Sequence, residues 1–248
     1  MREQKILITH NNPKSPISEA FRVLRTNLQF SSFDKQLKII LVTSSVVGEG
    51  KTTIVSNLAV AIAQSGRKVL LIDGDLRKPF VHKIFGVSNN KGITNLLLSE
   101  HKIYQDFIQK PEIDNLDIIT SGPIPPNPSE ILGSASMKEI LEKLKYNYDI
   151  VLIDTPPVGT VTDAAVLSTS ADGVILVLDS GRIEIKAAQR AKKLLQQVNA
   201  NIIGAVLNNV NIKDRDGYYY NYYYNSEENK NKRRLFKKKR KRDNQLLK

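Results

Sequence analysis

Six short runs dominated by Val, Ile and Leu recur along the chain, separated by stretches in which apolar residues return every three to four positions. The short runs read as strands and the three-to-four period as amphipathic helix. The pattern predicts strands over 37–44 (LKIILVTS), 68–73, 116–120, 149–154, 173–179 and 202–208, and helices over 17–30, 52–65, 136–146, 161–169 and 184–198. The strands are almost continuously apolar, which implies burial on both faces, as a parallel sheet requires. Strands that alternate with helices define an α/β class: a doubly wound, mostly parallel sheet with helices on both faces. Ligands in such folds sit at the carboxyl ends of the strands. Periodicity stops near residue 212, so the expected organisation is one domain over 1–211 followed by a flexible tail over 212–248.

Composition narrows the chemistry. With 248 residues, 41% hydrophobic and 25% charged, the chain can bury a substantial core. It has no cysteine, which excludes disulfides, thiolate zinc sites, thiol nucleophiles and cysteine-held iron–sulfur clusters. No apolar run approaches the ~18 residues of a membrane span, so the chain is not expected to cross a bilayer. The net charge is +12, but residues 226–248 alone hold eleven Lys/Arg against three acids. The basic character therefore belongs to the tail, with its dense run at 230–242, and no nucleic-acid partner is expected of the fold. The run itself reads either as a solvated extension or as a contact for an anionic membrane surface.

The strand at 37–44 leads into SSVVGEGKTT and then a helical stretch. This places Gly48, Glu49, Gly50, Lys51, Thr52 and Thr53 in a turn that opens a helix, where backbone N–H groups and the positive helix end converge on one point, a site for phosphate. Lys51 can reach the β and γ phosphates and the Thr52 hydroxyl can ligate Mg²⁺. Ser45 stands where the phosphate-loop pattern has its first glycine; the strand–turn–helix context nevertheless identifies a P-loop NTPase. Two more strand ends are acidic: Asp73, with Asp75 and then Arg77 and Lys78 beyond, and Asp154. Carboxylates there suit Mg²⁺, which takes few protein oxygens plus water and phosphate. After the last strand, Asn211, Lys213 and Asp214 do not have the spacing of a guanine-recognition motif, so ATP is the expected nucleotide. Asn208 is either an adenine contact or a turn former.

Six of the nine tyrosines, Tyr218, Tyr219, Tyr220, Tyr222, Tyr223 and Tyr224, fall in the stretch YYYNYYY. Clustered phenols beside an ATP fold read either as phosphoacceptors or as a stacking tail for single-stranded nucleic acid.

Together, GEGKTT (48–53), LLIDGDLRKP (70–79), VLIDTPP (151–157), the tyrosine cluster and Glu19, Arg22 and Arg25 in SEAFRVLRTNL resemble one family. It is that of the bacterial tyrosine kinases of capsule and exopolysaccharide synthesis, in the form where the cytoplasmic kinase is a separate chain. The resemblance implies an ATP- and Mg²⁺-dependent kinase that autophosphorylates in trans on the cluster at 218–224, and other protein substrates are compatible with it. It also implies a membrane-anchored, polysaccharide co-polymerase-type activator and a location at the inner face of the cell membrane. A homo-oligomeric ring would be held by the 15–30 helix through Glu19, Arg22 and Arg25. From spacing alone those three form a polar helix stripe opposite Phe21, Leu24 and Leu28. The implied roles are phosphate binding for Lys51, Mg²⁺ binding for Thr52, Asp75 and Asp154, and orientation of the tyrosine hydroxyl for Asp73, with Asp73 and Asp75 interchangeable. An aspartate near its reference pKa of about 3.9 is a weak base toward a phenol near 10, so it would orient the hydroxyl first and accept its proton late. The rival reading is a partitioning or division-site ATPase switch. Such proteins carry a signature lysine five residues before the loop lysine, where Val46 stands here.

Overall fold

A computed structural model describes residues 7–31, 37–100 and 103–210. The tyrosine cluster, the basic run and the proposed boundary at 211/212 lie outside the described residues.

In chain order the elements are α1 (Ile8–Asn11), α2 (Pro16–Phe30), β1 (Ile39–Ser44), α3 (Lys51–Ala63), β2 (Val69–Asp73), α4 (Val81–Phe85), α5 (Ile93–Leu98) and β3 (Leu116–Ile119). These are followed by α6 (Pro128–Leu132), α7 (Ala135–Asn147), β4 (Ile150–Asp154), α8 (Asp163–Ser168), β5 (Gly173–Asp179), α9 (Ile185–Gln197) and β6 (Ile202–Asn208). All six expected strands and five expected helices are present, with ends shifted by at most two residues. The short helices α1, α4, α5 and α6 were not expected, because four to six residues span too little of a helical period to stand out. The strands form one parallel sheet in the order β3-β2-β4-β1-β5-β6.

Side-chain alternation divides the core into two layers. Ile39 and Leu41 of β1, Leu70 and Ile72 of β2 and Val151 and Ile153 of β4 face α5, α7, α8 and α9. Ile40 and Val42, Val69 and Leu71, and Ile150 and Leu152 face α2, α3 and α4. Helix α3 is mostly apolar from Ile54 to Ala63 and buried on every side there, Ser56 and Asn57 included, between the sheet and α2. Ser15 caps α2 by accepting from the Ser18 N–H at 3.0 Å, ahead of Pro16 at the first helical position.

The expectation of two-sided burial fails at β6, where Gly204, Ala205 and Leu207 are exposed. This strand lies at the sheet edge, paired only with β5, so a run as apolar as the others is left half covered.

The α2 stripe is also different. Arg22 donates to Glu19 at 2.6 Å and to the Pro13 carbonyl, while Arg25 turns inward and donates to the Ala61 carbonyl at 3.0 Å, tying α2 to the last turn of α3. A three-residue step falls about 60° short of a full helical turn, so the E-x-x-R-x-x-R spacing winds from the outer face toward the core. The exposed positions of α2 include three large apolar side chains among polar ones: Ile17, Val23 and Phe30 are about half exposed, alongside the exposed Thr26, Asn27 and Gln29.

Candidate active site

Strand β4 is inserted between β1 and β2, which brings the three motif-bearing strand ends side by side. Asp154 pairs in register with Asp73 on one side and Val42 on the other. The Gly74 N–H donates to the Asp154 carbonyl at 2.8 Å, and a Cβ on Gly74 would press on that oxygen at 2.8 Å.

The phosphate loop connects β1 to α3. Gly50 caps α3 with φ +84° and Gly48 has φ +90°, backbone conformations that L side chains rarely adopt. The loop is braced from behind by Glu49, a buried carboxylate. One of its oxygens accepts from the Ser45 N–H (2.7 Å), the Ser45 hydroxyl (2.7 Å) and the Val46 N–H (2.8 Å). The other accepts from the Asp179 N–H at the end of β5, at 3.0 Å. Asn208, at the end of β6, donates its side-chain amide to the Glu49 carbonyl at 2.9 Å. Neither side chain lines the cavity in front of the loop. The Glu49 carboxylate shapes the loop rather than facing a ligand, and the Asn208 amide braces the loop, a contact that neither sequence reading contained. A Cβ on Gly50 would overlap the Asn208 amide. Gly50→Ala is therefore expected to destabilise the chain by about 1–3 kcal/mol. In denaturant melts, Gly50→Ala combined with Asn208→Ala should recover the collision but not the backbone strain, and come out intermediate.

In front of the loop lies a cavity of about 330 Å³, lined by Gly48, Gly50, Lys51, Thr52 and Thr53 together with Asp75, Arg77, Lys78 and Phe80 and the Pro156–Val161 segment. Lys51 Nζ lies 3.1 Å from Asp75 and 3.5 Å from Asp154 and donates to Thr52 Oγ1 at 3.2 Å; the Thr52 hydroxyl donates to Asp154 at 2.7 Å. The proposed phosphate and metal residues thus meet at one point. Among the described residues no cluster of three carboxylate, imidazole or thiol groups is disposed to hold a metal alone. Two carboxylates and a hydroxyl that already hold an ammonium suit Mg²⁺, which relies on water and phosphate for its remaining ligands.

Asp73 departs from expectation. It is fully buried, is absent from the cavity lining, and accepts from the N–H groups of Asp75 (3.2 Å), Phe80 (3.0 Å) and Val81 (3.0 Å). It anchors the 74–81 segment and the start of α4, while Asp75 faces the cavity. Burial, followed by the neighbouring Asp154 charge, pushes the Asp73 carboxyl up to about 8, so it is not the ordinary low-pKa carboxylate the sequence suggests. Burial likewise raises Asp154, against the pull of Lys51. For Lys51 burial acts downward, but Asp154 and Asp75 overcome it and hold the ammonium above its usual value.

Arg77 forms a bidentate pair with the fully buried Asp163 at the start of α8, at 2.8 and 3.0 Å. The pair joins the segment after β2 to the segment after β4. Neither Asp163 nor Phe80 was found from sequence: each lies several residues past a recognised motif, and no spacing rule marks it.

Residues 37–209 match the AAA domain family. The tyrosine-protein kinase YwqD of Bacillus subtilis is 44% identical over 220 residues, covering 88% of this chain and 92% of that protein. The chain belongs to the bacterial tyrosine-protein kinases. The putative tyrosine-protein kinase CapB of Staphylococcus aureus is 42% identical over 213 residues, 86% of this kinase and 93% of that protein. The crystal structure of the chimerical protein CapA2B2 superposes on this kinase with a TM-score of 0.79 at 46% identity, covering 83% of this chain and 90% of that one. The cell division ATPase MinD of Pyrococcus furiosus is more distant, with a TM-score of 0.60 at 29% identity over 72% of this chain and 75% of that one. The rival reading thus shares the fold, whereas the close relatives are kinases. The fold that this kinase shares with these relatives implies nucleotide binding. Among its described residues no helix is long and apolar enough to cross a membrane.

Proposed function

We propose that this kinase moves the γ-phosphoryl group of ATP onto tyrosine hydroxyls, first those of Tyr218–Tyr224 in a neighbouring copy, and so regulates capsular or exopolysaccharide synthesis. The observation that carries the reading is the meeting of Lys51, Thr52, Asp75 and Asp154 around one cavity at the start of α3.

Phosphoryl transfer depends on positioning and charge neutralisation. Loop N–H groups from Gly48 to Thr53 and the α3 dipole receive the phosphates. Lys51, released from its carboxylates as phosphate arrives, follows the β and γ charges. Thr52, Asp154 and Asp75 would hold Mg²⁺, which supplies neutralisation of phosphate charge when bound. Asp75 is also the carboxylate that faces the cavity, which supports giving it the orienting role beside its metal role: Asp75 orients the tyrosine hydroxyl and Asp73 fixes the segment that carries it. Arg77 stays clamped to Asp163, leaving Lys78 as the flexible cation.

The unit through residue 211 would be the catalytic body and the segment from 212 the acceptor tail. A ring contact through α2 draws support from the exposed Ile17, Val23 and Phe30, with the Glu19–Arg22 pair at their margin and Arg25 fixing the helix. A membrane-anchored activator and recruitment to the inner membrane face complete the proposal.

Transfer in trans is tested by mixing two full-length chains with γ-labelled ATP and Mg²⁺. One is Lys51→Met with an intact cluster; the other is wild type at Lys51 with Tyr218–Tyr224 changed to Phe. Label on tyrosines of the Lys51→Met chain is the expected result. Phosphate release without label on tyrosine would favour the ATPase switch instead.

A further inference from the structure

The cavity is not built for phosphate alone. Val47, Phe80, Pro156, Pro157 and Val161 contribute apolar surface to it, and phosphate draws nothing from such groups. Phe80 is 40% exposed. Its backbone N–H is fixed on Asp73 at 3.0 Å, and Lys83 Nζ lies 5.7 Å from its ring centroid. The ring is therefore held on the same short segment as Asp75, at the mouth of the cavity that Asp75 and Lys51 line. Cations gather at this mouth: Lys78 lines the cavity and Lys83 sits over the ring. The tyrosine cluster, in turn, has acids close on both sides, Asp214 and Asp216 before it with Arg215 between them, and Glu227 and Glu228 after it ahead of the basic run that begins at Lys230.

We infer that Phe80, with Val47 and Val161, forms the wall that seats the ring of an incoming tyrosine from a second copy of this chain, making Phe80 a specificity-determining residue for phenolic acceptors flanked by acidic residues. The inference rests on the kinase reading above and adds to it the acceptor subsite. An aromatic ring on this wall places its hydroxyl in the cavity shared with Asp75, whereas a serine or threonine hydroxyl has no ring to place there. In the transfer, the phenolic oxygen forms its bond to the γ-phosphorus as the bond from that phosphorus to the β–γ bridging oxygen breaks. ADP leaves with that electron pair, and the phenol proton passes to the Asp75 carboxylate and on to water. Lys78 and Lys83 meet the flanking carboxylates, an exposed and therefore salt-sensitive attraction.

The test measures steady-state phosphorylation of a peptide spanning residues 214–229 by the full-length kinase at saturating ATP and Mg²⁺. A second peptide carries Asn or Gln at the four flanking acids, and nucleotide affinity is read separately with a fluorescent ATP analogue. Phe80→Ala is expected to raise the peptide KM about tenfold with a much smaller change in nucleotide affinity, and Phe80→Leu to fall between. The neutral peptide should show a raised KM with wild type, a difference that shrinks in Lys78→Gln/Lys83→Gln and at high salt. An unchanged peptide KM in Phe80→Ala would overturn the inference while leaving the kinase reading intact. An equal loss of nucleotide affinity in both Phe80 variants would make the ring a support of its loop and overturn it as well. Failure of wild type to label any tyrosine would remove the kinase reading and the acceptor wall together.

Discussion

Lys51→Met is expected to abolish tyrosine phosphorylation, by at least a hundredfold, and also to weaken the unliganded fold. The first effect follows from removing the ammonium that stands at the phosphate loop and can follow the transferring phosphoryl group. The second follows from what Lys51 does before nucleotide binds: it lies 3.1 Å from Asp75 and 3.5 Å from Asp154, with all three side chains largely buried. Removing one partner of a buried ionic group leaves the other uncompensated. We expect a loss of about 2–3 kcal/mol near neutral pH, limited because the carboxyls can take up protons. Its pH dependence has a definite sign. Asp73 is held at about 8 and Asp154 is also raised, so over the range from about 4 to about 8 the folded chain binds protons that the unfolded chain has released. Stability therefore falls as pH rises through that window. Without the Lys51 charge Asp154 moves further up and the fall steepens, so the deficit of Lys51→Met should be larger at pH 8 than at pH 5.5 in denaturant melts. Adding Asp154→Asn should return part of the loss at pH 8. A deficit independent of pH would show that the lysine contributes packing rather than charge.

Glu49→Gln is expected to cost about 2–4 kcal/mol and to lower nucleotide affinity at least tenfold, although its side chain does not line the cavity. The carboxylate accepts at both oxygens, three bonds on one and one on the other, all between 2.7 and 3.0 Å. A glutamine has one carbonyl oxygen. In either orientation its NH₂ group faces an N–H, of Ser45 and Val46 or of Asp179, so a buried donor loses its acceptor. The loop would lose its tie to β5, and amides preorganised for phosphate would have to be ordered on binding. Titration of wild type and Glu49→Gln with a fluorescent nucleotide, alongside urea melts, checks both parts. Full affinity in a destabilised variant would separate loop shape from fold stability.

The two predictions draw on residues of unequal legibility. Lys51, Thr52, Asp75 and Asp154 could be read because each sits at a fixed offset from a strand end, and local pattern is enough to place a residue there. Glu49 could be recognised as part of the loop, but its work depends on Asp179, 130 residues away, and no spacing reveals a contact of that kind. Asp73 and Asp75 look equivalent in IDGDLRKP. They separate only because the chain after Asp75 turns back and presents the N–H groups of Phe80 and Val81 to Asp73. The direction taken by Arg25 of α2 was hidden for a related reason. Its three-residue spacing from Arg22 reads as part of one stripe, and only the position of α3 decided that it would turn to the Ala61 carbonyl.

The linear order of residues by itself determined the class of fold, the strands and longer helices, the phosphate loop and the acidic strand ends. All of these follow from periods of two or 3.6 residues and from turn chemistry within about ten positions. It did not determine which strands would be neighbours. Only the folded chain slid β4 between β1 and β2, setting Asp154 beside Asp73 and within reach of Lys51 and Thr52. It also left β6 half bare at the sheet edge. Strand order is a property of the whole sheet, because each apolar run satisfies its own backbone and side chains equally well beside several partners until all six compete for the same two faces.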